Sequence, residues 1–262
     1  MDVNIQAIIE AAEAGGRELK KYFGQVLDLV EKSTVGDYQT RADTESERVV
    51  LEILQKHFPD YNIHSEETGK VEKGSPYTFV IDPLDGSHNF VIGIPNFTVA
   101  IALFEDDTII AGVVHAPMIN HTYHAQLGKG AFQDGTRLEV SQEKDIQRAV
   151  VSQVIGWLGP MDRFSKVWNI TINDIMRNIN NWSPEFDFCL LASGRIESII
   201  NDGNELYDFA AGKLIAREAG AIFTDFEGNA DTDKNPIFLC SNNREIHSVL
   251  LERLKKAGIK NG

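Results

Sequence analysis

Two carboxylates lie three positions apart in the segment FVIDPLDGSHNF, residues 79–90. Phe79–Ile81 predict a buried strand that leads Asp82 and Asp85 into a turn. Because Asp-Pro and Asp-Gly are common turn dipeptides, this segment alone favours a solvated loop. Two carboxylates about 4 Å apart repel by roughly 4 kcal/mol at an effective dielectric near 20. The chain tolerates that repulsion if the turn points into solvent, or if a divalent cation lies between the side chains.

Two further acids stand at the ends of predicted elements. Glu66 ends the strand that precedes this segment, and Asp208 begins a helix in the second half of the chain. Carboxylates without Cys or His partners suit Mg²⁺ rather than zinc. A simpler alternative for Asp208 is a carboxylate stabilised by the positive end of its own helix. His121 and His124 are a poor zinc pair, since residues three apart on a strand point to opposite faces.

The composition argues against several classes of protein. The chain has 262 residues, 42% of them hydrophobic, and a net charge of −14. This excess of acid repels nucleic acid and anionic membranes, so we expect neither as a partner. No apolar run approaches the roughly 18 residues that span a bilayer, and the N-terminus lacks the pattern of a secretory signal. Two cysteines favour a reducing cytoplasm.

Helical and strand-like segments are mixed along the whole chain and predict an α/β (α+β) protein. Residues 3–30 carry apolar side chains at helical spacing. A capping box of Thr44 and Glu47 predicts the start of a second helix. Four more helical segments are expected: 163–180, 186–193, one stopped by Gly220 and one ended by Gly258.

Three ordered blocks carry a family resemblance: EE at 66–67, DPLDGSHNF at 82–90 and YDFAAGKLIAREAGA at 207–221. They resemble the signature blocks of the inositol monophosphatase-like family of Mg²⁺-dependent, lithium-sensitive phosphatases. The middle block of that family reads D-P-[IL]-D-G-[TS]-x-N-F, and this chain matches every defined position. The likeness extends over nearly the whole chain, because KSTVGDYQTRAD and GKGAFQDGTRLEVS are also similar to family segments.

The resemblance implies a layered α/β/α/β/α sandwich of the sugar-phosphatase type, with the metal site between two halves. Residues 1–145 would form an α+β half that carries most metal ligands. Residues 146–262 would form an α/β half that carries the last metal Asp and the elements that recognise the substrate. Similar proteins also form homodimers, so we expect a homodimer here.

The resemblance further implies two to three Mg²⁺ ions. Glu66, Asp82 and the backbone carbonyl of Leu84 would hold the first ion. Asp82, Asp85 and Asp208 would hold the second, and a third would bind loosely through Glu66 and water. The cations would then offset the repulsion among the carboxylates.

Catalytic roles follow from the same resemblance. Ser87 would hydrogen-bond the attacking water, Asp43 would orient the Ser87 hydroxyl, and Glu66 would contact the water through the metal. Backbone N–H groups of Gly86 and Ser87 would cradle the phosphate, provided that they open a helical turn. The alternatives are a helix cap for Asp43 and a plain turn hydroxyl for Ser87. Lys32 is a weaker candidate, because isolated lysines are usually solvated.

Five residues are assigned to substrate binding, four of them near the phosphate and one near the alcohol. The residues are Gly86, Ser87, Asp85, Asn201 and Asp208. Asn201 stands where the family has an acid that contacts inositol. The chain departs from the family again in NNWSPEF, residues 180–186, where Trp182, Pro184 and Glu185 replace small residues, and at Tyr207, which replaces Trp. Since a site built for hydroxyls loses affinity when its acid is missing, inositol phosphate is not assumed as the natural substrate.

The sequence therefore predicts a Mg²⁺-dependent phosphomonoesterase that hydrolyses a small sugar or polyol phosphate, of the inositol-1-phosphate type, by metal-activated water. Fructose-1,6-bisphosphate, histidinol phosphate and 3′-phosphoadenosine-5′-phosphate are alternative substrates. Another class of function is a regulatory or scaffold protein that binds RNA or a partner protein, with incidental hydrolysis. The charge of −14 and the complete ligand set argue against that class.

Overall fold

The computed structural model describes residues 3–25, 30–31, 38–155 and 161–261. Seven α-helices lie in these ranges: α1 Ile5–Tyr22, α2 Arg41–His57, α3 Ser87–Val91, α4 Met161–Thr171, α5 Pro184–Ala192, α6 Ala210–Glu218 and α7 Arg244–Lys256. None of these helices is long and apolar enough to cross a membrane.

The described residues also form fifteen strands. In the first half they are β1 Val30–Glu31, β2 Tyr38–Gln39, β3 Asn62–Ser65, β4 Gly69–Val71, β5 Tyr77–Asp85, β6 Thr98–Glu105, β7 Thr108–Ala116, β8 His121–Gln126, β9 Gly130–Gln133 and β10 Thr136–Arg137. In the second half they are β11 Val150–Ile155, β12 Arg177–Ile179, β13 Ser198–Asp202, β14 Ile222–Thr224 and β15 Ile237–Ser241.

The larger sheet has eight strands in the order β10-β9-β8-β7-β6-β5-β3-β4. Its central strand β5 runs parallel to β3 and antiparallel to β6. Phe79 and Ile81 pack on one side of β5, while Val80 packs on the other. A strand buried on both faces needs a continuous apolar run, which is what the residues before Asp82 supply. The register against β6 shifts between Asp82 and Asp85, so the strand bends where its carboxylates begin.

The second sheet has five strands in the order β12-β11-β13-β15-β14. Strand β11 is parallel to β12 and β13, whereas β15 is antiparallel to β13 and β14. The two sheets lie on either side of residues 138–149 in the chain. The division into halves at residue 145 stays a prediction, because one apolar cluster takes side chains from both sheets.

Three apolar clusters define five layers. Helices α1 and α2 pack against one face of the larger sheet. Helices α5 and α6 lie between the two sheets. Helices α4 and α7 cover the outer face of the second sheet. The α/β/α/β/α sandwich implied by the resemblance is thus confirmed.

Three local predictions are corrected. Helix α1 ends at Tyr22, because Phe23 takes an extended conformation with ψ 130°. Helix α2 begins after Thr40, whose N–H donates to Asp43 Oδ2 at 2.9 Å, so the capping box is not formed by Thr44 and Glu47. Glu47 instead accepts two hydrogen bonds from Thr68.

The third correction concerns residues 163–180, which do not form one helix. Helix α4 ends at Thr171, and Arg177–Ile179 form strand β12 at the edge of the second sheet. Asp174 between them has φ 67°, a left-handed conformation that a continuous helix cannot contain. Residues 172–176 therefore turn the chain back towards the sheet.

The two central helices approach each other closely at Gly212 of α6. A Cβ atom at this position would lie 2.6 Å from Glu185 Oε2 and would overlap the Phe188 side chain of α5. On the other side of α6, the carbonyl oxygen of Ala211 lies 2.6 Å from where a Cβ on Gly112 of β7 would stand. Because Gly212 and Gly112 have no side chains, α6 can pack closely against both α5 and β7.

We predict that Gly212→Ala destabilises the protein. In an unconstrained helix this change gains about 1 kcal/mol. Here the added methyl group must displace α5, and overpacking of this kind costs about 1–3 kcal/mol. The free energy of unfolding from denaturant titration measures the change, and a value equal to or above that of the wild type would contradict the close approach.

Candidate active site

Asp82 and Asp85 lie in the interior at the end of β5. Each side chain is about 2% exposed. Asp82 Oδ1 accepts the Leu84 N–H at 3.0 Å. Asp85 Oδ2 accepts the hydroxyl of Thr98 at 2.8 Å and the hydroxyl of Ser183. This burial excludes the solvated loop that the turn dipeptides alone would favour.

Four carboxylates from three segments lie close enough to perturb one another. Burial raises the pKa of Asp82 well above its usual value, and Glu66, Asp85 and Asp208 raise it further. Burial likewise raises the pKa of Asp208, with Glu66 and Asp85 as the next largest causes. In the ranges that the structure describes, no Lys or Arg side chain forms an ion pair with Asp82, Asp85 or Asp208.

Backbone geometry brings Glu66 and Asp208 to Asp82. Glu66 directly follows β3, and its N–H donates to the Ile81 carbonyl at 3.2 Å, which holds it beside the end of β5. Asp208 ends the 3₁₀ turn Leu206–Asp208, where its Oδ2 accepts the Glu205 N–H at 3.0 Å. Helix α6 begins two residues later, so Asp208 lies just before the helix rather than in its first turn.

Tyr207 is half-buried among these acids. Burial raises its pKa, and Glu66, Asp208 and Asp82 raise it further in that order. Its ring meets the His64 ring edge to face at 6.2 Å. The residue that replaces the family's Trp therefore lies beside the carboxylates.

Asp43 is almost fully buried and completes the capping box of α2, whose N-cap is Thr40. Its Oδ2 accepts both the N–H and the hydroxyl of Thr40. Burial raises the pKa of Asp43 to about 7, although these hydrogen bonds lower it, and the charges of Glu66 and Glu67 raise it further. Asp43 therefore lies inside α2 as the partner of the N-cap Thr40, not before the helix as the alternative had it, and the carboxylate is also within electrostatic reach of Glu66. Among the described residues, no hydrogen bond joins Asp43 to Ser87.

Gly86 and Ser87 connect β5 to the short helix α3. Gly86 has φ 87°, and a Cβ atom there would lie 2.9 Å from the Asn96 carbonyl oxygen. Glycine is therefore required by both conformation and space. Ser87 begins α3 and is partly exposed beside the buried acids.

Asn201 does not line the site. It is 0% exposed in β13, where its Nδ2 donates to the Pro236 carbonyl at 2.7 Å. The amide is held between strands of the second sheet and presents no surface to a ligand. The structure therefore does not support the substrate contact that the sequence assigned to Asn201.

Several other candidates have different roles or lie outside the described residues. His121 hydrogen-bonds Asp134 at 2.6 Å, and His124 stacks on Phe132, as expected for ordinary strand histidines. Lys32 lies outside the residues that the structure describes.

The sequence interpretation missed three residues that hold Asp85. Thr98 is directly opposite Asp85 in the β5–β6 pairing, so the hairpin register could have identified it. Ser183 and Glu185 come from the segment where the chain departs from the family, and the Glu185 N–H lies 3.5 Å from Asp85 Oδ1. Nothing in the sequence signals that these two residues reach a carboxylate about 100 positions away.

The donor set fits Mg²⁺ by its chemistry. The acids Glu66, Asp82, Asp85 and Asp208 and the Leu84 carbonyl are all hard oxygen donors, and the Asp82 and Asp85 side chains are buried. Within the described ranges, no three Asp, Glu, His or Cys side chains converge tightly enough to ligate one ion as they are placed. Binding would therefore draw these acids closer together, and a dication would offset the repulsion that raises their pKa values.

Comparison with known proteins now decides the family. The model of the inositol monophosphatase family matches residues 1–258. The chain belongs to the inositol monophosphatase family. This family is one of phosphatases, so the chain is a phosphomonoesterase.

Members of the inositol monophosphatase family match the chain along nearly its whole length. A Haemophilus influenzae protein named Nus factor SuhB is 32% identical over 255 residues, which are 95% of each chain. A Thermotoga maritima fructose-1,6-bisphosphatase/inositol-1-monophosphatase is 33% identical and covers 94% of each. The solved structure of a Thermotoga maritima IMPase superimposes with a TM-score of 0.88 at 31% identity, over 98% of this chain and 99% of that one.

We predict that metal-free protein loses stability through its buried acids as pH rises. Asp85 has a folded pKa of about 7 against an ordinary value of 3.8, mainly because of burial. Between these values the folded state holds a proton that the unfolded chain has released, so stability falls as pH rises from about 4 to 7. Each pKa unit corresponds to about 1.4 kcal/mol.

Denaturant titrations in chelator at pH 4.5 and pH 8 test this sign. His247, whose pKa burial lowers to about 4, acts in the opposite direction, so the comparison is made between wild type and Asp85→Asn. Asp85→Asn should gain stability relative to wild type on going to pH 8. A difference between the two proteins that is constant with pH would contradict the prediction.

Proposed function

We propose that this phosphomonoesterase is Mg²⁺-dependent and hydrolyses a small sugar or polyol phosphate of the inositol-1-phosphate type. The observation that carries the proposal is the mutual proximity of Glu66, Asp82, Asp85 and Asp208, with Asp82 and Asp85 in the interior and no basic side chain paired to the three aspartates in the described residues. Such an arrangement is costly for the protein alone, which argues for a cationic ligand.

The reaction needs more than one proton-transfer group. Phosphate monoesters are among the slowest substrates to hydrolyse, and enzymes accelerate such reactions by up to ~10²¹. A general base contributes only about 10²–10⁴. Bound Mg²⁺ supplies charge neutralisation at the phosphoryl oxygens and lowers the pKa of water. The protein's part is to hold the ligands, orient the water and leave room for the phosphate.

Each part is assigned to residues of this chain. Glu66, Asp82, the Leu84 carbonyl, Asp85 and Asp208 would hold two to three Mg²⁺ ions. Ser87 would position the attacking water, with Asp43 behind it, since Asp43 is buried and within electrostatic reach of Glu66. Gly86 leaves space where a side chain would collide with the Asn96 carbonyl.

The alcohol part of the substrate differs between the activities named for relatives of this chain. The Thermotoga maritima relative carries the names of two phosphatases with different substrates, which shows that one scaffold is associated with both. In this chain Trp182 and Pro184 flank Ser183, whose hydroxyl binds Asp85. Fructose-1,6-bisphosphate, histidinol phosphate and 3′-phosphoadenosine-5′-phosphate are therefore tested beside inositol-1-phosphate.

We predict Mg²⁺-dependent release of phosphate from at least one of these four compounds. Purified protein is assayed for phosphate with each compound, in Mg²⁺ and in chelator. Asp82→Asn and Asp208→Asn should each lower turnover by more than about 10³-fold, since Asp82 is assigned to two ions and Asp208 to the second of them. Wild-type protein that binds Mg²⁺ and releases phosphate from none of the compounds would overturn the proposed substrate class.

We predict that Asp43→Asn and Ser87→Ala lower kcat by about 10²–10⁴-fold, the contribution of a general base. Asn at position 43 keeps an acceptor for the Thr40 N–H, so the helix cap and the melting temperature should change little. The Mg²⁺ concentration for half-maximal rate should also stay the same, because neither residue is a ligand. A kcat within threefold of wild type would remove Asp43 or Ser87 from the catalytic set.

A second candidate function comes from a name that three of the matching relatives carry. The Haemophilus influenzae protein is named a Nus factor, so a role that depends on a partner rather than on hydrolysis is the alternative. Turnover that is abolished in Asp82→Asn favours the enzyme, and a complete ligand set without turnover favours the partner-binding role. The homodimer, lithium sensitivity and a cytoplasmic location stay predictions.

A further inference from the structure

Glu185 is a fully buried acid in the centre of the molecule. It is the second residue of α5 and is 0% exposed. Its Oε1 accepts the Ala211 N–H at 3.1 Å, and its Oε2 accepts the Gly212 N–H at 2.5 Å. These amides belong to the first turn of α6, whose own N-cap, Phe209, has no side-chain acceptor. Glu185 therefore caps α6 from a neighbouring helix.

The start of α5 rests in turn on Asp85. The Ser183 hydroxyl donates to Asp85 Oδ2 instead of capping its own helix. Pro184 follows at the first helical position and has no N–H, and the Glu185 N–H points to Asp85 Oδ1 at 3.5 Å. Asp85 thus occupies the acceptor position at the N-terminus of α5, a favourable place for a carboxylate.

Together these contacts link two of the proposed metal ligands. Asp85 holds the N-terminus of α5, and the Glu185 side chain on that terminus holds the N-terminus of α6. Asp208 lies two residues before α6 begins. The Glu185 residue therefore connects Asp85 to the start of the helix that Asp208 precedes, through its N–H on one side and its carboxylate on the other.

Stability alone does not account for an acid at this position. Burial raises the pKa of Glu185 well above its usual value, and Asp85 and Asp208 both contribute to the rise. A buried charge beside like charges costs several kcal/mol, and an apolar residue of similar volume would avoid that cost.

We propose that Glu185 is a positioning residue that fixes the separation of Asp85 and Asp208 and thereby sets the affinity for the Mg²⁺ ion they share. The inference rests on the proposed function. Without Glu185, the Ala211 and Gly212 amides lose their acceptor, and Asp85 and Asp208 are carboxylates close enough to act on this position. A ligand that turned to cap α6 would be lost to the metal, so affinity would fall although every ligand remained in the chain.

Calorimetric titration of Mg²⁺ into chelator-stripped protein tests the inference without an activity readout. Glu185→Ala should raise the dissociation constant of the weaker Mg²⁺ by at least tenfold. Glu185→Gln keeps one acceptor oxygen and the size of the side chain, so it should raise the constant less than Glu185→Ala. Phosphate release by both variants should recover towards the wild-type rate as Mg²⁺ is raised.

Glu197→Gln is the matched control. Glu197 is also buried and accepts a backbone N–H, that of Val150 at 2.8 Å. This variant should lose stability without a change in Mg²⁺ affinity, which separates positioning from general destabilisation. If Glu185→Ala does not fold, Glu185→Gln alone decides the result.

The outcomes separate this inference from the proposed function. Wild-type turnover together with unchanged Mg²⁺ affinity in the Glu185 variants overturns the inference and leaves the function standing. A weakened Mg²⁺ site in Glu185→Ala, with no phosphate release by wild type from any compound, supports the inference and overturns the substrate class. An equal loss of affinity in Glu197→Gln would also overturn the inference.

Discussion

The structure depends on holding several carboxylates out of water beside one another. Asp82 and Asp85 are buried. Burial raises the pKa of Asp82 and of Asp208, and the charges of Glu66 and Asp85 raise both further. Like charges in a medium of low polarity repel strongly, so this arrangement opposes folding of the protein alone. The rest of the fold offsets this repulsion. Apolar side chains cover both faces of β5, and helices α5 and α6 pack at the distance that Gly212 allows.

Helices α5 and α6, which lie between the two sheets, make contacts that offset this repulsion. Helices α5 and α6 have N-caps, Ser183 and Phe209, that provide no side-chain acceptor to their own first turns. Carboxylates from elsewhere take that place: Asp85 at α5 and Glu185 at α6. Each acid gains backbone donors and the positive end of a helix, and each helix gains a cap. The same contacts therefore offset the electrostatic repulsion within the site and cap the N-termini of α5 and α6.

Much of the fold could be predicted from the sequence, because continuous apolar runs bounded by turns have few alternatives. Strands β7 and β15 have the bounds that their apolar runs indicate. The start of α2 was predicted wrongly, since Thr40 with Asp43 and Thr44 with Glu47 both match a capping pattern, and only the tertiary contact of Glu47 with Thr68 decides between them. The burial of Asn201 and the reach of Glu185 to α6 likewise depend on how distant strands and helices pack, which a local pattern does not contain.

The same constraint explains where this chain can differ from its relatives. The acids at the floor of the site are fixed by burial and by hydrogen bonds that a change of side chain would break. Trp182, by contrast, is 51% exposed, has φ 53° and meets the His88 ring edge to face at 4.8 Å. A non-glycine residue in a left-handed conformation is strained, and such strain is found where surrounding structure or function retains it. Trp182 can therefore change with the loss of fewer contacts than Asp82 or Asp85 in the interior.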